Sequence, residues 1–153
     1  MTRVQEGIES KHSEIDLINK LWIIPADRKK ERREHIVPMS GMLIELYDEI
    51  RTMSVSGVYL FEGRDLKNPM NKESPRVAMQ RVGLMTTAHG LRSLARTYLR
   101  EVGKFSDDVG EKLLAHSLGT KTQTAYNRSE LLDERREALE WWGNEIQRLI
   151  KGD

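Results

Sequence analysis

The sequence predicts an α+β fold that is mostly α-helical and carries a small antiparallel β-sheet. Two short apolar segments rich in β-branched residues, 19–26 and 34–40, flank a charged stretch, which is typical of a β-hairpin. After residue 74, apolar residues recur mainly at helical spacing. A length of 153 residues, 38% of them hydrophobic, suits one domain with its own core.

The elements are predicted in this order along the chain. Residues 27–33, DRKKERR, form a long basic tip that is exposed between the two hairpin strands. Residues 40–53 form a helix for which Ser40 is the N-cap. Residues 58–65 predict a third short strand. Four more helices are predicted over 74–83, 87–103, 106–116 and 127–150.

Composition and spacing exclude several classes of protein. The chain has no cysteine, which excludes disulfides, zinc ribbons and thiol catalysis. It has no long apolar run and no signal peptide, so we expect a soluble, cytosolic protein with no membrane partner. The histidines at positions 12, 35, 89 and 116 are scattered and lack the spacing of zinc ligands, so a metal hydrolase has little support.

The helix predicted over 87–103 has one apolar and one basic side. At about 100° per residue, His89, Arg92 and Arg96 fall on the side opposite the apolar stripe. That stripe is formed by Leu91, Leu94, Ala95, Tyr98 and Leu99. The basic side is either a solvated helix face or a phosphate-binding surface, because His and Arg three residues apart can reach the same anion.

His116 and Tyr126 each have an ordinary interpretation when taken alone. His116 lies at the edge of an apolar stripe near a helix end, which favours a histidine that interacts with the helix end or packs at the core margin. Tyr126 alone would be a half-buried tyrosine. The order of the neighbouring motifs favours a catalytic interpretation of both.

Three motifs carry a resemblance to a known family. HGLR at 89–92, LAH at 114–116 and AYNR at 125–128, in that order, resemble the phage integrase family of tyrosine recombinases. The likeness is strongest to the branch carried by prophages and genomic islands. Further similarity to that branch lies at 2–16, 21–40 and 131–142, so the resemblance spans nearly the whole chain.

The resemblance implies a tyrosine recombinase catalytic-domain fold over residues 1–153, without the N-terminal core-binding and arm-binding domains of the family. It implies DNA strand exchange through a 3′-phosphotyrosyl intermediate, with no metal or nucleotide cofactor. The implied partners are double-stranded DNA attachment sites and copies of the protein in a synaptic tetramer, in the bacterial cytoplasm. The alternative is a catalytically silent, DNA-binding remnant of such an integrase.

The resemblance also assigns the central groups of the reaction. Tyr126 is the implied nucleophile, and Arg3 and Arg92 are the implied clamp on the phosphate. Guanidinium groups suit that role because they stay charged and bind phosphate oxygens in pairs. Val4 and Gln5 stand after Arg3 where the family has a Pro-Gly pair.

The remaining assignments are proton donors and DNA contacts. Lys30 is expected to protonate the leaving 5′-oxygen, with Lys29 as the alternative. His89 is expected to assist proton transfer at the tyrosine, and His116 to donate a hydrogen bond to a non-bridging oxygen. DNA contacts are expected from basic residues of the hairpin tip and of the helix over 87–103, namely Arg28, Lys29, Arg32 and Arg96.

Overall fold

The predicted hairpin forms two strands of a three-stranded antiparallel sheet. A computed structural model describes residues 1–28, 32–115 and 131–152. In the described part the sheet has the order β1 (Ile15–Asp16), β2 (Leu21–Ile24), β3 (His35–Pro38). The hairpin register pairs Leu21 with Pro38 and Ile24 with His35. The mixed fold with its small antiparallel sheet is therefore confirmed.

Six α-helices account for half of the described residues. They are α1 (Val4–Ile8), α2 (Gly41–Met53), α3 (Ser74–Arg81), α4 (Ala88–Glu101), α5 (Asp107–Leu113) and α6 (Leu132–Lys151). Hydroxyl N-caps start three of them, because the side chains of Ser40, Thr87 and Ser106 accept hydrogen bonds from first-turn amides. Within the described ranges, no helix is both long and apolar enough to cross a membrane.

The core lies where the sheet meets the last three helices. It is built from Ile24, Val37, Leu99, Val109, Leu113, Ala138 and Leu139. Trp141 and Trp142 pack against this cluster. Their indole rings contact the ring of Tyr98, with centroids 6.1 and 5.6 Å away. The two tryptophans are thus packing residues, and they fix α6 against α4.

Helix α6 is tied to the first half of the chain by polar contacts as well as by packing. The Arg135 guanidinium donates to the carbonyl of Ile36 in β3. The Glu140 carboxylate accepts from the backbone N–H of Gly41 at 2.9 Å and so caps the start of α2. These bonds satisfy the Ile36 carbonyl and the Gly41 amide, which would otherwise need water as a hydrogen-bond partner.

Residues 58–65 do not form the predicted third strand. Tyr59 and Glu62 each make only a single isolated bridge, to Lys11 and Pro69 respectively. The Glu62 carboxylate instead accepts hydrogen bonds from the amides and hydroxyls of residues 54–56, so the segment folds into turns. The third strand of the sheet is β1, which is too short to show alternating hydrophobicity.

Helix α4 is rotated relative to its predicted apolar stripe. Leu91 and Leu94 are 44% and 55% exposed, whereas Ala95 and Leu99 are buried as predicted. Arg92 lies on the inner side, where its guanidinium contacts the end of α5. A polar contact to another element, which periodicity does not detect, therefore sets the inward face of this helix.

Candidate active site

Helix α1 fixes Arg3 through one carboxylate. Arg3 is the N-cap residue of α1, and its backbone N–H donates to Oε2 of Glu6 at 2.8 Å. The guanidinium Nη1 reaches the other oxygen of the same carboxylate at 3.4 Å. Glu6 is 5% exposed, so this carboxylate is a fixed point inside the fold. The Arg3 side chain remains accessible to solvent, although Glu6 binds both its backbone N–H and its guanidinium.

Helix α4 brings Arg92 to the same place. Its Nη2 donates to the carbonyl of Leu114 at 3.1 Å, and Nε has no hydrogen-bond partner within the described ranges. Burial lowers the pKa of Arg92, the positive charge of Arg3 lowers it further, and Glu6 acts in the opposite direction. The two arginines therefore share one electrostatic environment, in which an anion would relieve their mutual repulsion.

A third arginine, Arg135 of α6, is also buried in the fold. It is 8% exposed, and burial lowers its pKa. Arg135 is not among the site residues predicted from the sequence. A signal was present, because Arg135 falls three and four residues before Ala138 and Leu139 on the buried stripe of α6.

His89 lies at the open side of the site. It is exposed in the first turn of α4, beside a pocket of about 310 Å³. Val4 and Gln5, which follow Arg3 in α1, line the same pocket. The pocket therefore connects the imidazole with the N-terminal end of α1. Its other wall is formed by α3 and its flanks, with Lys72, Glu73, Pro75, Arg76 and Met79.

Three of the six predicted catalytic residues, Arg3, His89 and Arg92, lie in the described part of the chain: the charge of Arg3 acts on Arg92, and His89 shares a pocket with the two residues that follow Arg3. The other three, Lys30, His116 and Tyr126, lie outside the described residues, as does Lys29. The described residues that flank them are Arg28 and Arg32 in the hairpin, and Ala115 and Leu131 around His116 and Tyr126. Leu114, which accepts from Arg92, belongs to the LAH motif that ends at His116.

A comparison with protein-family models matches residues 1–131 to the phage integrase family. The chain belongs to that family. Among curated relatives, it is 37% identical to prophage integrase IntA of Escherichia coli K12, over 99% of this chain and 37% of the relative. It is 34% identical to the integrase of Enterobacteria phage P4, over 86% of this chain and 34% of the relative. The chain therefore spans little more than a third of the length of these integrases.

Solved structures agree with the family. The integrase from mycobacterium phage Brujita superposes with a TM-score of 0.68 and 25% identity, over 90% of this chain and 46% of that one. XerA recombinase has a TM-score of 0.56 and 21% identity, over 87% of this chain and 50% of that one, a likeness of fold. The predicted catalytic-domain fold type is therefore confirmed for this integrase-family chain.

The predicted DNA contacts of this integrase-family chain have different surroundings. Arg32 is exposed, beside the tip of the hairpin. Arg96 faces α5 and forms ion pairs with Glu111 and Asp107. Arg28 is largely buried and pairs with a buried carboxylate, Glu14.

No three His, Asp or Glu side chains among the described residues are arranged to hold a metal ion.

Proposed function

We propose that this chain is the catalytic domain of a site-specific recombinase that cuts and rejoins DNA through a covalent link to Tyr126. The supporting observation is that Arg3 and Arg92 lie close enough for the charge of Arg3 to lower the pKa of Arg92. They lie far apart in the sequence, yet each is held by a partner of its own, Glu6 for Arg3 and the Leu114 carbonyl for Arg92. Two fixed guanidiniums in one electrostatic environment are suited to hold the non-bridging oxygens of a phosphodiester.

The proposed cleavage step forms one bond and breaks one bond. The Tyr126 oxygen attacks phosphorus, and the bond from phosphorus to the 5′-oxygen breaks. The bonding electrons stay on that oxygen, which takes a proton from Lys30 or Lys29. Cleavage leaves a 3′-phosphotyrosyl ester and a free 5′-hydroxyl. Attack by the 5′-hydroxyl of another strand reverses the step and rejoins the DNA.

The supporting roles belong to the two histidines. Tyrosine has an ordinary pKa of about 10, so its attack at neutral pH needs nearby positive charge or a base. His89 would accept or return that proton from the open side of the site, beside the pocket. His116 would donate a hydrogen bond to a non-bridging oxygen as charge builds up in the transition state.

The proposed partners follow from this chemistry. The substrate is double-stranded DNA at a pair of attachment sites, and a synaptic tetramer would hold four such domains on two DNA duplexes. We propose that residues 1–153 act as one catalytic domain, that no metal or nucleotide cofactor takes part, and that the protein works on DNA in the bacterial cytoplasm. Arg32 and Arg96 are retained as proposed phosphate contacts, each of which would release counterions on binding.

The test is capture of the covalent intermediate. Nicked duplexes drawn from the genomic junctions of the parent element release a short fragment on cleavage, which prevents religation. We expect a protease-sensitive band of protein-linked DNA on a denaturing gel, and no such band with Tyr126→Phe. DNA binding without any covalent band, in a chain joined to its upstream domains, would instead identify a catalytically silent DNA-binding remnant.

A further inference from the structure

The hairpin tip starts from a buried ion pair. Arg28 lies at the start of the tip, residues 27–33, and its Nη2 lies 2.7 Å from Oε2 of Glu14. The two side chains are only 13% and 6% exposed. The same carboxylate oxygen accepts from the indole N–H of Trp22 at 3.1 Å. One buried carboxylate therefore holds both a strand of the sheet and the turn that leads into the tip.

The contacts on either side make this pair a fixed base for the hairpin. Trp22 lies in the middle strand and pairs with Ile15 and Val37 on its two sides. On the returning strand, Arg135 donates to the carbonyl of Ile36. The first strand of the hairpin is thus held by Glu14 through Trp22, and the returning strand by Arg135 through the Ile36 carbonyl.

The burial of Arg28 argues against a direct contact with phosphate. Its charge is already balanced by Glu14, and withdrawing it would leave a buried carboxylate with one hydrogen bond fewer. Its neighbours Arg32 and Arg33 are exposed and have no such constraint. The basic run therefore contains arginines of two kinds, and only the exposed ones are accessible to DNA.

We propose that Arg28 is a positioning residue, which with Glu14 fixes the point from which the lysines of the tip reach the leaving 5′-oxygen. This inference rests on the proposed function. Lys30 follows Arg28 by two residues, and two residues of chain span at most about 7 Å. Holding Arg28 therefore limits how far from this point the chain can carry either lysine, and general acid catalysis requires the donor to stay within reach of the leaving oxygen.

The test separates protonation of the leaving group from every other part of the reaction. In one DNA substrate, sulfur replaces the bridging 5′-oxygen at the cleavage site. A thiol has a pKa of about 8.5, so a thiolate leaves without a proton, whereas an alkoxide needs one. Loss of a general acid therefore slows cleavage of the oxygen substrate and spares the sulfur substrate. Lys30→Ala and Lys29→Ala identify the acid in the same assay.

We expect Arg28→Ala and Glu14→Gln each to slow cleavage of the oxygen substrate at least about tenfold and of the sulfur substrate less than about twofold. The double variant should be no slower than the slower single one, because both remove the same contact. Arg28→Lys should recover part of the rate. Arg51→Ala, at an exposed position on α2 that pairs with Asp48, is the control and should cleave both substrates at the original rates.

Three results would overturn the proposal. Equal slowing of both substrates would mean that the pair does not act through the leaving group. Weaker DNA binding with a smaller salt dependence in Arg28→Ala, but not in Glu14→Gln, would make Arg28 a phosphate contact. Unchanged amide hydrogen exchange over residues 25–34 in Glu14→Gln would show that the pair fixes nothing, even for a chain that fails to cleave. A wild-type chain without any Tyr126 adduct is a separate result, which contradicts the proposed function itself.

Discussion

At the scale of single residues, the most informative position is Arg92, whose side chain is directed inward from a helix face that was predicted to be outward. Its hydrogen bond to Leu114 uses one of five N–H donors and leaves the others for a ligand. Lysine has the same charge but a different shape, with a single ammonium on a flexible stem. It cannot hold the Leu114 carbonyl and two phosphate oxygens in one plane.

We therefore expect Arg92→Lys to lower the rate of covalent adduct formation about 100-fold, because a fixed donor to the phosphate is lost. DNA affinity should fall much less, since the charge remains. Single-turnover cleavage and equilibrium binding measure the two effects. The matched control is Arg51→Lys, at an exposed position on α2 that pairs with Asp48. Equal losses of affinity and rate in Arg92→Lys would mean that Arg92 only binds DNA.

A second residue-scale prediction concerns pH. Hydrogen bonds from the Ser56 side chain, the Val55 amide and the Ser54 side chain lower the pKa of Glu62 from 4.5 to about 2. The folded state therefore favours the charged carboxylate. The resulting stability is complete above pH 4.5 and is lost as the pH falls towards 2.

We expect the free energy of unfolding to fall with decreasing pH across this window, and to fall less steeply in Glu62→Gln. Urea unfolding at a series of pH values measures both slopes. Parallel slopes in the two proteins would show that Glu62 does not carry this dependence.

At the scale of elements, the crossing of α6 over the start of α2 has little spare room. A Cβ atom at Gly143 would lie 3.2 Å from Cβ of Met42 and 3.3 Å from Oγ of Ser40. The Ser40 hydroxyl caps α2, so it cannot move away without giving up its hydrogen bond. A Cβ atom at Gly110 in α5 would meet only Arg96, at 3.5 Å, which is ordinary contact.

The two glycines therefore predict opposite effects of the same substitution. Gly143→Ala should lower the free energy of unfolding by about 1 kcal/mol, because overpacking outweighs the gain in helix propensity. Gly110→Ala should raise it by about 0.5 kcal/mol. Chemical denaturation of both variants measures the difference. A stabilising Gly143→Ala would mean that the two helices can separate at little cost.

The elements also show what the sequence could and could not predict. The hairpin and helices α2 to α6 were predicted from apolar spacing together with start and stop residues, such as the Ser-Pro start of α3. Helix α1 has five residues and β1 has two, which is too short for any period to appear. The strand over 58–65 was predicted wrongly because an apolar run is also compatible with turns fixed by a side chain, in this case Glu62.

The candidate site was predicted by motif order and not by periodicity. Periodicity placed Arg92 on the outer face, whereas the resemblance paired it with Arg3, and the structure brings these two together. Arg135 and Glu14 were not selected, because each lies in a charged or polar stretch whose burial depends on contacts with other elements. Lys30, His116 and Tyr126 stay predictions.

At the scale of the whole molecule, 25 basic and 24 acidic residues nearly balance, so net charge alone does not favour DNA binding. The affinity should instead depend on the positions of the exposed cations. We expect the logarithm of the affinity for duplex DNA to fall linearly with the logarithm of salt concentration. Arg32→Ala should reduce the size of that slope by about 0.9, the loss of one phosphate contact. Arg51→Ala should leave the slope unchanged. An equal effect of both changes would mean that net charge, and not the hairpin tip, determines binding.

The hydrogen bonds from α6 to β3 and to the start of α2 also affect how the chain folds during its synthesis. The partner of the Gly41 amide is Glu140, and the partner of the Ile36 carbonyl is Arg135. Glu140 and Arg135 are synthesised only after most of the chain. Until then, the Gly41 amide and the Ile36 carbonyl lack these hydrogen-bond partners. Contacts this distant in sequence slow folding. The nascent chain therefore depends on late docking of its last helix. A ribosome stalled before residue 135 would leave the sheet exposed and without its contacts to that helix.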